Sequence, residues 1–181
     1  MIIFQKITWR NFLSTGNTPI EINLREHPTT LVIGKNGSGK STVLDALCFA
    51  LFNKPYRIIK KDQMINTINN ADSMVEVWFS VGPKNYQVRR GIKPNVFEIY
   101  EDGVLINQNA SGVDYQKYLE TNIMKLNYRS FCQVVILGSS SYEPFMKMRA
   151  SYRRDVIEEI LDIKVFASMN LLLRSKQQEL T

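Results

Sequence analysis

The spacing of apolar residues changes period several times along this chain, and each change predicts a new element. From Ile2 to Phe12, Ile3, Ile7 and Trp9 share one face, as in a strand. Ile20, Ile22 and Leu24 alternate through a second strand, Pro19 to Leu24, after a turn at Gly16-Asn17. Glu26 to Thr29 leads into Thr30-Leu31-Val32-Ile33, short, β-branched and apolar, the pattern of a buried parallel strand. Ser41 to Phe52 is apolar almost all round, which predicts a buried helix. A basic connector runs from Lys54 to Asp62. Beyond it, Val75, Val77, Phe79 and Val81 alternate with Glu76, Trp78 and Ser80. Turn signals at Gly82-Pro83, Lys93-Pro94-Asn95 and Asp102-Gly103 separate Tyr86 to Arg90, Val96 to Tyr100 and Val104 to Ile106. The block reads as an antiparallel meander with one solvated face.

Ser111 to Lys125 predicts a helix, with Ser111 as its cap and Asp114 three residues on. Cys132 to Leu137 is nearly all apolar and predicts a buried strand beside Thr30 to Ile33. Phe145 to Thr181 holds no Gly and no Pro. Ile157, Leu161, Val165 and Met169 recur every fourth residue, then Leu172 and Leu173 follow, so the region reads as amphipathic helix with a break near Asp162 to Lys164. The tail from Arg174 to Glu179 is solvated and favours helix.

Between the predicted strand Thr30 to Ile33 and the predicted helix stands Gly34-Lys35-Asn36-Gly37-Ser38-Gly39-Lys40-Ser41, which fits the P-loop pattern G-x-x-x-x-G-K-[ST]. Its glycines let backbone N–H groups approach phosphate oxygens, and the helix that follows presents its N-terminus to an anion. Lys40 supplies a mobile cation for the β- and γ-phosphates and is the catalytic candidate. Ser41 offers a hard oxygen to Mg²⁺. Thr42 adds a hydroxyl and an N–H near the α-phosphate. Strand, loop and helix in this order favour an ATP and Mg²⁺ site over a bare turn.

The rest of the chemistry is thin. Apolar residues make up 44% of the 181 and charged ones 22%, ordinary for one globular domain. A net charge of +6 permits a polyanionic partner without demanding one. Cys48 and Cys132 lie in apolar runs and read as small buried hydrophobes of a reducing compartment. No signal peptide or membrane-spanning run is seen, so a cytoplasmic location is the expectation. P-loop hydrolysis also needs an acidic metal ligand at a strand end and a group that positions water. The late apolar run instead empties into Gly138-Ser139-Ser140-Ser141, and Glu76, Glu98, Glu101, Asp155, Glu158 and Glu159 sit in the meander or the helix. His27, the sole histidine, reads as a surface loop residue. The site reads as half-built. A stand-alone kinase or GTPase is disfavoured, since no acid follows a second buried strand and the guanine motif Asn-Lys-x-Asp is missing.

Asn11-Phe12-Leu13-Ser14, the P-loop, Lys60-Lys61-Asp62-Gln63-Met64, and Phe131 to Met146 before the Arg153-Arg154 helix together resemble the N-terminal half of an SMC-like ABC ATPase of the SbcC type. The resemblance implies an α/β P-loop NTPase fold: the N-terminal lobe of an ABC-type ATPase head, with an antiparallel β-meander and the start of a coiled-coil helix. Residues 1–163 would form the lobe and 164–181 the start of the coil. It implies partners as well: the C-terminal half of the same head, a second head in a homodimer, a metal-dependent nuclease subunit, and DNA held by its backbone phosphates. An ATP-gated DNA-tethering protein without a nuclease partner is the alternative. Residues 36 to 42 carry over to the triphosphate, with Gly34 and Lys35 completing the loop. Ile65, Asn66 and Thr67 carry over to the base or ribose. The chain departs from the family at Leu13, where a basic residue is common, so a phosphate contact there is lost or moves to Arg10. It departs again at Ser139, where a glutamine is usual.

Gln133 is a tempting replacement, but ligands of open α/β sheets bind at the carboxyl ends of strands. Taken as the start of a strand, Gln133 lies about 20 Å from Ser139, at about 3.3 Å per residue. Gln133 therefore reads as structural and Ser139 as the contact to Mg²⁺ or water. For DNA, the candidate patches are Arg57, Lys60, Lys61 and Arg89, Arg90, Lys93, each equally readable as solvated charge. Arg153 and Arg154 would decorate the helix near the partner.

Overall fold

The first strand, β1 (Ile2–Arg10), pairs on one side with β2 (Ile20–Asn23) and on the other with β3 (Ser73–Val81) in the computed structural model. The meander continues through β4 (Lys84–Ile92), β5 (Val96–Glu101) and β6 (Val104–Leu105). The result is one six-stranded antiparallel sheet in the order β2-β1-β3-β4-β5-β6. The structure describes residues 2–106, 111–137, 144–161 and 163–179. Contact density divides the chain into a unit spanning Met1–Met124 and a second spanning Lys125–Thr181.

Strict alternation decides the two faces of the sheet, as period-2 geometry requires. Ile7, Trp9, Val75, Val77, Phe79, Val88 and Ile99 are buried on one face. The other face carries charge. Lys6 pairs with Glu21 and lies over Trp78, and Arg89 bridges Glu76 at 3.3 Å and Glu98 at 2.8 Å.

The helix α1 (Thr42–Phe52) packs against the apolar face, with the Phe12 and Phe49 rings stacked at 5.5 Å. It is buried nearly all round, as its composition predicts. Two side chains satisfy carbonyls at its C-terminal end: Arg90 Nε donates to Ala50 O at 2.8 Å and Gln116 Nε2 to Leu51 O at 2.9 Å. Arg90 is 5% exposed and its guanidinium lies 3.6 Å from the Phe97 ring. Burial lowers its pKa to about 9, which still leaves it cationic at neutral pH, where a cation complements the negative end of the helix. The expected DNA patch at Arg89 and Arg90 is therefore corrected. One guanidinium caps a buried helix and the other is spent on two carboxylates.

Ser111 caps α2 (Gly112–Tyr118) by accepting from Asp114 N, as its spacing predicts. A π-helical turn, Leu119–Met124, closes this first unit.

Two predicted strands are not strands. Thr30 to Ile33 pairs with nothing among the described residues, and Leu31, Val32 and Ile33 are 80%, 53% and 83% exposed. A buried parallel strand needs neighbours on its edges, and the antiparallel sheet offers it none. Cys132 to Leu137 fails for a different reason. Residues Tyr128–Val134 form α3, and a short apolar run alone does not separate strand from helix. Neighbouring caps tip the balance. Asn127 Oδ1 accepts from Ser130 N at 2.9 Å, and the buried Glu159 carboxylate takes bonds from Asn127 Nδ2 at 2.6 Å and from the Ser130 hydroxyl. An anion at a helix N-terminus is favourable, and Glu159 thereby ties α3 to its own helix, α4 (Ala150–Ile160). Gln133 thus sits on a helix, and the 20 Å separation inferred from strand geometry no longer holds. Ser139 lies outside the described residues.

The last helix, α5 (Lys164–Glu179), follows a break at the expected place. Ile157, Leu161, Val165, Met169, Leu172 and Leu173 are all exposed, an apolar stripe at helical spacing.

Candidate functional site: a P-loop cleft

Two glycines shape the loop before α1. Gly37 has φ +86° and Gly39 φ +90°, a region side chains rarely enter. Thr42 N donates back to Gly39 O at 2.9 Å, so the helix starts directly from the loop. Ser41 stands at the N-cap but makes no side-chain capping bond, which leaves its hydroxyl unspent by the helix. Lys40 Nζ donates to Gly34 O and Lys35 O, both at 2.8 Å. Its ammonium therefore folds back over the loop that carries it.

The loop opens onto a cleft of about 540 Å³. Asn36, Gly37, Gly39, Lys40, Ser41 and Thr42 line one wall, with Leu13 and Ser14 from the loop after β1. Gln63, Ile65 and Thr67 line it from the segment after the connector, and Arg57 completes it. Of the residues carried over to the base or ribose, Ile65 and Thr67 reach the cleft. Asn66 does not line it. Its amide donates to Thr15 O at 3.0 Å and accepts from Ile68 N and Asn69 N, and the residue is 6% exposed.

Composition and spacing missed Arg57 as a cleft residue and Asp45 altogether. Asp45, fully buried in the first turn of α1, receives three bonds from Arg57: backbone N at 2.9 Å, Nε at 2.7 Å and Nη2 at 2.6 Å. The Arg57 side chain is 49% exposed, so the pair joins a buried anion to the cleft wall. An acid inside an apolar helix followed by an arginine in a basic loop was the available signal. Replacing Arg57 by alanine removes the two guanidinium bonds and the counter-charge from the buried Asp45 carboxylate and leaves it the backbone N–H of residue 57. A loss of about 1–3 kcal/mol of stability is expected, the cost of a buried carboxylate oxygen left without its donors. Denaturant unfolding measures it, and an unchanged midpoint would remove Asp45 from the supports of this loop.

A nucleotide triphosphate with Mg²⁺ fits these residues. The left-handed glycines form the backbone cradle, Lys40 already sits over it, and Ser41 keeps a free oxygen. No group of three His, Cys, Asp or Glu gathers among the described residues, so the metal would come with the nucleotide, held by phosphate, water and Ser41.

The fold and the loop together define a P-loop ATPase head of the SMC and SbcC kind. An AAA domain family model matches residues 6–181, and the chain belongs to that family. It is 42% identical over 97% of its length to exonuclease subunit 2 of Escherichia phage RB69, and covers 31% of that protein. It is 29% identical over 99% of its length to the DNA double-strand break repair Rad50 ATPase of Thermoplasma volcanium, covering 20% of it. The chain thus spans less than a third of the curated relatives it matches. Among solved structures, the Smc head domain with an extended coiled coil from Pyrococcus furiosus shares the fold. Its TM-score is 0.65 at 20% identity, over 99% of this chain and 47% of that one. No helix among the described residues is long and apolar enough to cross a membrane.

Proposed function

We propose that this chain is the ATP-binding half of the ATPase head of a cytoplasmic DNA double-strand-break repair and recombination nuclease complex. Binding and hydrolysis of ATP gate the access of DNA to a partner nuclease. The carrying observation is the pairing of a formed P-loop cleft with a bare apolar segment, Leu31 to Ile33, running into it. An apolar run at that position lacks the rest of its sheet, as expected of half a head. Coverage of under a third of the relatives supports the same reading. Residues 1–163 serve as the lobe and 164–181 as the start of a coil, whose exposed stripe suits a partner helix.

In this reading the N–H groups of residues 34–42 and Lys40 bind the phosphates, while Ser41 and Ser139 hold the metal or its water. Mg²⁺ neutralises phosphate charge when bound. Ile65 and Thr67 face the nucleoside. A second head and the remaining half of this one complete the site. Exposed Lys60 and Lys61 remain for DNA backbone phosphates, a contact that weakens as salt rises.

The test is purification of the full-length protein from its own host. A metal-dependent nuclease is expected to come with it, degrading linear duplex DNA in a way that ATP modulates and Lys40→Ala abolishes. An ATP-dependent DNA-binding preparation without nuclease activity would overturn this in favour of the tethering protein.

A further inference from the structure

Two asparagines beside the cleft are buried and hydrogen-bonded through both backbone and side chain. Asn11, 3% exposed at φ +48°, donates its N–H to Gly16 O at 2.8 Å and its amide to Asn17 Oδ1 at 3.2 Å. Its carbonyl accepts from Asn66 N at 2.9 Å and its Oδ1 from Asn69 Nδ2 at 2.7 Å. Asn66 returns a bond to the same loop through Thr15 O and closes its own loop on Ile68 N and Asn69 N. Leu13 N donates to Met64 O at 2.6 Å, and Phe12 bridges Ile65. Two loops, 11–17 and 64–70, are thus bolted together by amides that do not themselves line the cleft.

Between the bolts, Leu13 is held at φ +53°. For a residue with a bulky side chain this region is strained, because Cβ crowds the following carbonyl oxygen. Such a conformation persists only where its surroundings over-determine it. Here the surroundings are the Met64 bond and the Thr15 turn, in which Thr15 Oγ1 donates to Phe12 O at 2.5 Å and Asn66 holds Thr15 O from behind. The residues so fixed, Leu13 and Ser14 on one loop and Ile65 and Thr67 on the other, all face the P-loop cleft.

We propose that Asn11, Asn66 and Asn69 form a positioning latch for the nucleoside end of the site. Asn66 acts on the nucleotide through the loops it joins rather than by touching it. The proposal rests on the nucleotide reading above and deepens it. The phosphate end is built by the P-loop and α1; the hydrogen bonds of the three asparagines described above all go to residues 11–17 and 64–70, and it is Phe12 that stacks on α1. Loosening the latch therefore lets Leu13 leave its strained conformation and displaces the wall facing the base and ribose, while the phosphate cradle stays intact.

Asn69 makes the decisive variant, because it is exposed and absent from the cleft lining. Calorimetry on the 181-residue chain would compare MgATP with inorganic triphosphate for Asn69→Ala, Asn66→Ala and the double variant. ATP affinity is expected to fall about tenfold for Asn66→Ala and severalfold for Asn69→Ala, with the double variant close to Asn66→Ala alone, as coupled neighbours behave. Triphosphate affinity should stay within about twofold, since only the nucleoside wall has moved. If Asn69→Ala leaves ATP affinity unchanged, the latch is overturned, whatever Asn66→Ala does. A parallel loss for ATP and triphosphate overturns it too, because the asparagines would then support the whole fold. Failure of the unaltered chain to bind either ligand, or an indifferent Lys40→Ala, would instead bring down the nucleotide reading itself.

Discussion

Replacing Lys40 by alanine lowers the affinity of the chain for MgATP by about ten- to a hundredfold. The Lys40 ammonium lies over the loop, and a charge-assisted phosphate contact contributes about 1.5–3 kcal/mol. The same ammonium bonds two carbonyls, Gly34 O and Lys35 O. Phosphate must compete with those bonds, which places the expected loss toward the lower end of the range. Calorimetry at matched Mg²⁺ decides the matter, with circular dichroism to show that the variant is folded. Equal affinities for the two proteins would reduce the loop to a structural turn.

The chain alone is expected to bind ATP and hydrolyse it hardly at all. Lys40 and the backbone N–H groups position phosphates, and Ser41 offers one metal ligand. Among the described residues no acidic side chain lines the cleft, and Gln63, which does, has its Oε1 engaged by Lys60 N. Asp45, the one buried acid near the loop, is fully engaged by Arg57. Phosphoryl transfer depends on such positioning and charge stabilisation. Assistance by a general base is itself worth about 10²–10⁴-fold. Phosphate release by the purified 181 residues should therefore stay near background. It should rise by at least about a hundredfold when a separately made second half of the head is added. Brisk turnover by the chain alone, lost in Lys40→Ala, would refute the split site.

The sequence by itself determined the P-loop, the buried α1, the meander and the Ser111 cap. Each is set by neighbours in the chain. Glycine spacing fixes the loop, alternation fixes the sheet faces, and Ser111 with Asp114 fixes the start of α2. It also made Arg90 look like a surface cation, because alternation alone does not show that a helix end waits above that strand. Only tertiary structure decided that Arg57 belongs to the cleft, since the carboxylate that holds it lies 12 positions away in sequence, across the rest of α1 and a loop. The same holds for Asn66, whose partner Thr15 is 51 positions distant. Two apolar runs went the other way. Cys132 to Leu137 was ambiguous by its short period, and its first three residues became the end of a helix that Asn127 and Glu159 cap. Leu31 to Ile33 kept its strand-like composition but found no edge to pair with, because strand formation depends on neighbours that local sequence does not supply.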